Sequence, residues 1–278
     1  MTPHPTAAAP ALQHKIFGSD LQFVEITLAP GAEVVGEPGA MMYMDEEVTQ
    51  ETRLGDGSDQ GFFARLVGAI KRSFSGESMF SVVYRNTDPR RASRVAFATS
   101  TIGKILAVDL ASYGGSLICQ KGAFLAGERG IKLTLAWQKK LRVGFFGGEG
   151  FVMQRLEGRG WVFIAASGTL TEMELPPGAG LKVDSGSLVA LQPTVTFDIK
   201  YAGKVKTALF GGEGLFFASL RGPGKAWLQS LPMKRFSQNV WRSAMYGQQK
   251  SVFKWYLIGA ILFLIVTVFL GGDPAQAP

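Results

Sequence analysis

A chain of 278 residues with 35 glycines, one cysteine and a formal net charge of +7 is long enough to bury one large core or two smaller ones. The single Cys119 excludes an internal disulfide and a cysteine-based metal cluster. Lys225, Lys234, Arg235, Arg242, Lys250 and Lys254 stand without an acid between Lys225 and Gly272, so the remainder is near neutral and lacks the basic footprint of a phosphate-binding surface.

The chain opens on a Pro/Ala-rich stretch, 1–15, that carries both histidines, His4 and His14, and is expected to be a flexible tail. It shows no basic region followed by an apolar run, so no signal peptide is read there. From 16 to 231, short runs of valine, isoleucine, leucine and phenylalanine alternate with glycine. The 10–15-residue amphipathic helices of βα units are missing. That pattern predicts an all-β sandwich or prism.

Two phrases recur inside this region. The first is a Gly-x7-Gly element at Gly31/Gly39, Gly114/Gly122 and Gly178/Gly186. The second is Phe146-Gly-Gly-Glu-Gly-Phe151, repeated 64 residues later as Phe210-Gly-Gly-Glu-Gly-Leu215, with an upstream echo in Ser75-Gly-Glu-Ser-Met-Phe80. From the second glycine to the glutamate the spacing is 27 residues in the later copies and 38 in the first, an insertion of 11. Recurrence in register predicts three β repeats, roughly 16–100, 101–160 and 161–231. Glu77, Glu149 and Glu213 would each fix a glycine turn by accepting backbone N–H groups. The sharper alternative has them converge on a pseudo-threefold axis and bind a cation or a basic partner.

The insertion in the first repeat, 61–75, reads as a helix. Phe62, Phe63, Leu66, Val67, Ile70 and Phe74 share one face, with Arg65, Lys71 and Arg72 beside it. It would serve as a lid on the β core or as a surface for membrane or partner. Cys119, within Ser116-Leu-Ile-Cys-Gln120, is expected to act as a small apolar strand residue.

Residues 232–251 read as a basic juxtamembrane helix, with Lys234, Arg235, Trp241 and Arg242 among its surface residues; a polar stalk is the alternative. Residues 252–272 read as one transmembrane helix, because Trp255 to Gly272 carries no charge and the run approaches the ~20 residues a bilayer needs. A buried core helix is the other reading. Cations lie on its N-terminal side, which predicts a tail-anchored arrangement with the β domain in the cytoplasm, at the inner membrane in a bacterium. Residues 273–278 form a short tail.

Together, Pro30-Gly31, Gly39-Ala-Met-Met42, Gly61…Leu66…Lys71-Arg72, Gly76-Glu-Ser-Met-Phe80, Gly103-Lys-Ile105 and the two Phe-Gly-Gly-Glu-Gly turns resemble the bacterial branch of the altered-inheritance-of-mitochondria protein twenty-four family, over roughly Phe17 to Leu231. The resemblance implies an all-β fold related to the tryptophan RNA-binding attenuation protein, built as a pseudo-threefold set of repeats. It also implies a tie to membrane organisation, through mitochondrial members implicated at the inner membrane. It brings no catalytic, cofactor or metal residues. The expected function is a non-enzymatic membrane-anchored scaffold whose partners are lipid, unidentified membrane proteins and a second copy of itself, without nucleic acid. The alternatives are a carboxylate enzyme using Glu149 and Glu213 with Asp184 or Asp198, and RNA or small-ligand binding by the attenuator-like fold.

Overall fold

A computed structural model describes residues 12–54, 80–139, 151–201 and 216–233, together with 235–237, 240, 243, 256, 259, 261 and 262. Strands dominate it, as the glycine-punctuated sequence predicts. The chain divides into two units, 1–232 and 233–278.

Strand β1 (Gln13–Phe17) precedes eighteen others that fall into three groups of six. The first holds β2 (Phe23–Leu28), β3 (Glu33–Gly36), β4 (Met41–Met44), β5 (Val48–Leu54), β6 (Phe80–Asn86) and β7 (Ser93–Ala98). The second holds β8 (Gly103–Asp109), β9 (Ser116–Gln120), β10 (Phe124–Glu128), β11 (Lys132–Lys139), β12 (Phe151–Glu157) and β13 (Trp161–Ser167). The third holds β14 (Gly180 lies beyond it; Leu170–Leu175), β15 (Gly180–Asp184), β16 (Leu188–Leu191), β17 (Thr196–Tyr201), β18 (Phe216–Arg221) and β19 (Gly224–Gln229).

The antiparallel pairings recur with a six-strand offset. β7 joins β2 and β4, β13 joins β8 and β10, and β19 joins β14 and β16. β6 likewise joins β3 and β5, β12 joins β9 and β11, and β18 joins β15 and β17. Two sheets run across group boundaries, through β3–β10 and β9–β16, giving six-stranded orders β5-β6-β3-β10-β13-β8 and β11-β12-β9-β16-β19-β14. The remaining sheets are β1-β2-β7-β4 and β15-β18-β17.

Alternation along the strands explains the layers. β2 buries Val24, Ile26 and Leu28 while Phe23, Glu25 and Thr27 stay partly exposed, the period-two signature of a half-buried strand. Those three residues share a core with Val34, Val48, Tyr84, Val95 and Phe97, so the half-sheets of one group pack on each other. The cores also borrow from neighbours: Leu125, Ala126 and Phe163 enter the first group's core, and Val189, Ala190 and Trp227 enter the second's. Burying side chains of this size stabilises by about 1.5–3 kcal/mol each.

Two boundaries differ from the sequence reading. The tail ends earlier, because β1 begins at Gln13 and His14 packs on the next group, its ring 4.6 Å from Trp161 and 4.9 Å from Phe163. The division at 160/161 also shifts. Trp161–Ser167 pairs with Gly103–Asp109 along its whole length, so that strand closes the second group and does not open the third.

The tightest backbone approach lies at Gly103, where an added Cβ would stand 1.9 Å from the Ala166 carbonyl oxygen. Gly103→Ala should force β8 and β13 apart at that end and lower stability by about 1–3 kcal/mol. Urea unfolding followed by tryptophan fluorescence measures this, and an unchanged midpoint would contradict the packing described.

Candidate functional site

A recess on the first group has a volume of about 580 Å³ and is lined by Glu33, Glu51, Arg85, Asn86 and Asp88 among others. Glu33 sits on β3, an acid beside Val34 and Val35, and its carboxylate is buried. Arg85, directly opposite on β6, brings Nε to 3.8 Å of Oε1. Arg129, from the turn after β10, brings Nη1 to 3.3 Å of Oε2. Both guanidinium groups remain largely exposed. One buried carboxylate therefore ties two groups of strands together.

The recess wall is a built polar network. The Asn86 amide donates to the carbonyls of Leu28 (2.9 Å) and Arg91 (2.8 Å), and its Oδ1 accepts from the Asp88 N–H and the Ser93 hydroxyl. Asp88 accepts from the backbone N–H groups of Arg90 and Arg91, which hold its carboxyl below the usual range. Three acids, Glu33, Glu51 and Asp88, line the recess with Arg85. Paired arginine forks suit an anion, but this acidic rim opposes one. The arrangement is a structural clamp.

A second cluster lies along β2, β4 and β7. Arg94 reaches Asp45 through Nε (3.2 Å) and Nη2 (3.0 Å), and the Arg94 backbone N–H donates to the same carboxylate. Arg94 also lies 3.7 Å from Glu25, which accepts the Tyr43 hydroxyl. The Arg94 contacts lower the Asp45 carboxyl, and the bond to Glu25 raises the Tyr43 phenol.

Of the residues singled out from sequence, Glu77, Glu149 and Glu213 lie outside the described residues, as do Phe62, Phe63, Leu66, Ile70, Lys71, Arg72, Lys234, Trp241 and Arg242. Arg235 is described, half-buried on a helical residue. Asp184 caps the turn that follows β15, accepting the Gly186 N–H at 2.8 Å, and Asp198 lies 3.9 Å from Lys200. Neither lines the recess. Cys119 is fully buried on β9, and burial pushes its thiol up to about 12, the inert apolar role expected of it. Among the described residues, no three of His, Cys, Asp and Glu are grouped to hold a metal, and no helix is long and apolar enough to cross a membrane. Of the predicted span, Tyr256, Gly259, Ile261 and Leu262 are described, all helical.

The Glu33 clamp was missed in sequence. Its signal was an acid inside the apolar run Gly31-Ala-Glu-Val-Val35; its arginines come from 52 and 96 positions downstream, which no local pattern exposes.

The model of mitochondrial biogenesis AIM24 proteins matches residues 14–231. The chain belongs to that family. An uncharacterized protein of Streptococcus pyogenes serotype M6 is 34% identical over 223 residues, covering 79% of this chain and 85% of the relative. The crystal structure of another Streptococcus pyogenes protein, a structural-genomics target, superposes with a TM-score of 0.67 at 28% identity, covering 84% of this chain and 99% of that one.

Two measurements probe the electrostatics of this AIM24 chain. Arg85→Ala with Arg129→Ala should cost more together than the sum of the single changes, because either guanidinium alone can neutralise Glu33; the double loss should be about 2–4 kcal/mol in denaturant unfolding. Asp45 has a folded pKa below its unfolded value, so its contribution is full above the ordinary carboxylate range and is lost as pH falls through the folded value. The stability gap between wild type and Arg94→Ala should thus narrow steadily from pH 6 to pH 2. A gap that widens on acidification would refute the assignment.

Proposed function

We propose that this AIM24-family chain is a non-enzymatic, membrane-anchored interaction scaffold with its β body on the cytoplasmic side. The observation that carries the reading is in the second unit. Tyr256, Ile261 and Leu262 are helical and each more than half exposed, within an uncharged run preceded by Lys250 and Lys254. Large apolar side chains on the outside of a helix, beside aromatic and cationic flanks, match a lipid-facing segment. The cations on its N-terminal side favour a cytoplasmic body.

The body reads as three copies of one six-strand unit. In support, the pairings repeat at an offset of six strands, and Gly31, Gly114 and Gly178 all take left-handed backbone, with φ of 71°, 69° and 79°. Its described acids support a structural use: Asp109 and Asp184 cap short 3-10 turns, Glu128 accepts the Trp161 N–H, and Asp45 and Glu33 are held by arginines. A body of this kind offers surfaces and edges more readily than a reaction centre.

Membrane fractionation of the full chain and of a version ending at residue 251 tests the anchor. The full chain should pellet and resist carbonate extraction, and the shortened chain should be released. Continued pelleting of the shortened chain would shift membrane contact to the 62–74 segment.

A further inference from the structure

We propose that the recess on the first group binds a small organic cation, a linear diamine or polyamine whose ammonium groups meet Glu33 and Asp88. This inference goes beyond the scaffold reading and does not depend on the membrane anchor.

The recess lies on the outer face of its sheet. Glu33 on β3 stands opposite Arg85 on β6, which stands opposite Thr49 on β5; Val83 and Glu51 form the neighbouring pair. These residues share one face, while Val34, Val48 and Tyr84 belong to the core on the other. Pro30-Gly31 and Thr87-Asp88-Pro89 complete the lining. The volume of about 580 Å³ falls within the roughly 300–1,000 Å³ of small-molecule sites.

Hydrogen-bond donors decide what such a recess can hold. The backbone N–H groups of Gly31, Asn86 and Thr87 donate to the carbonyls of Asn86, Ala32 and Glu47, and that of Asp88 donates to Asn86 Oδ1. Pro30 and Pro89 have no N–H. The Asn86 amide uses its donors on the Leu28 and Arg91 carbonyls, and the Thr49 and Thr87 hydroxyls donate to the Arg85 and Glu47 carbonyls. Among the lining side chains, only the Arg85 guanidinium keeps donors to offer.

Acceptors are left over. Asp88 takes both of its backbone bonds on Oδ1, so Oδ2 is without a hydrogen bond among the described residues. The Glu33 side chain is 4% exposed, and its Oε2 has no hydrogen-bond partner although Arg129 Nη1 lies 3.3 Å away. A buried carboxylate oxygen without a donor is costly. Glu51 adds a third acid to the lining. An ammonium group carries three donors and no acceptor, the complement of this surface. An anion would face three carboxylates, and no three His, Cys, Asp or Glu among the described residues are grouped to hold a metal ion. The methylenes between two ammonium groups would lie on Pro30, Val83 and Pro89.

Arg85 is the resident cation that such a ligand replaces. Its side chain is 59% exposed and approaches Glu33 only to 3.8 Å, so it can swing out while Arg129 stays on the other carboxylate oxygen.

The test is isothermal titration calorimetry of the full-length chain in non-ionic detergent at neutral pH and fixed ionic strength. Spermidine should give one saturable site per chain; hexanediol and magnesium chloride should give none. Asp88→Asn keeps an oxygen for the turn and should weaken spermidine about fivefold or more. Glu33→Gln should weaken it further, but it also loosens the clamp, so Asp88→Asn and Arg85→Ala carry the decision. Arg85→Ala removes the competing cation and should tighten spermidine about threefold, a sign that a damaged fold would not produce. The absence of a saturable spermidine site, equal binding of magnesium or hexanediol, unchanged affinity in Asp88→Asn, or unchanged or weaker affinity in Arg85→Ala would each overturn the proposal.

Discussion

The body depends on one constraint: a sheet cannot stop at the boundary between two groups of strands without leaving a row of unpaired backbone groups. β3–β10 and β9–β16 meet that constraint with ladders of only three and two residue pairs, too short to hold two groups of strands together by hydrogen bonding, whose net worth is about 0.5–1.5 kcal/mol per bond. The remainder comes from the bulge that follows each junction. An extra residue in β10 or β16 re-aims the strand and drives Leu125 or Val189 into the adjoining core. Phe163 and Trp227 come with them. Backbone continuity and core sharing thus reinforce each other, and residues 1–232 form one compact unit.

Polar side chains serve the same end. Gln22 accepts the Ile105 N–H at 2.7 Å, Gln192 accepts the Lys225 N–H at 2.7 Å, and Gln229 accepts the Ser167 N–H at 2.8 Å. Asn86 performs that service for the turn at the end of β6. These groups replace ladder partners where strands change direction, and leaving them unpaired in the interior would cost roughly 1–3 kcal/mol each. Glu33 extends the principle to charge: two largely exposed arginines come within 4 Å of its buried carboxylate, whose Oε2 has no hydrogen-bond partner among the described residues. Such residues could pass for a catalytic set by composition. Their partners are backbone groups and each other.

The fold class was legible because glycine has a physical signature. Left-handed turns at Gly31, Gly114 and Gly178 recur where the spacing placed them, and Gly39 and Gly122 follow suit with φ of 84° and 83°. Gly186 departs, lying in a short 3-10 turn capped by Asp184, so one of the six positions kept its place in the pattern with a different backbone. The junctions were not legible. Gly36 and Ala126 are 90 positions apart, and nothing local to either shows that they pair. The bulge at Met42 was equally hidden, since Met41-Met-Tyr-Met44 reads as an ordinary strand. Glu33 was hidden for the same reason, its cations being supplied by topology.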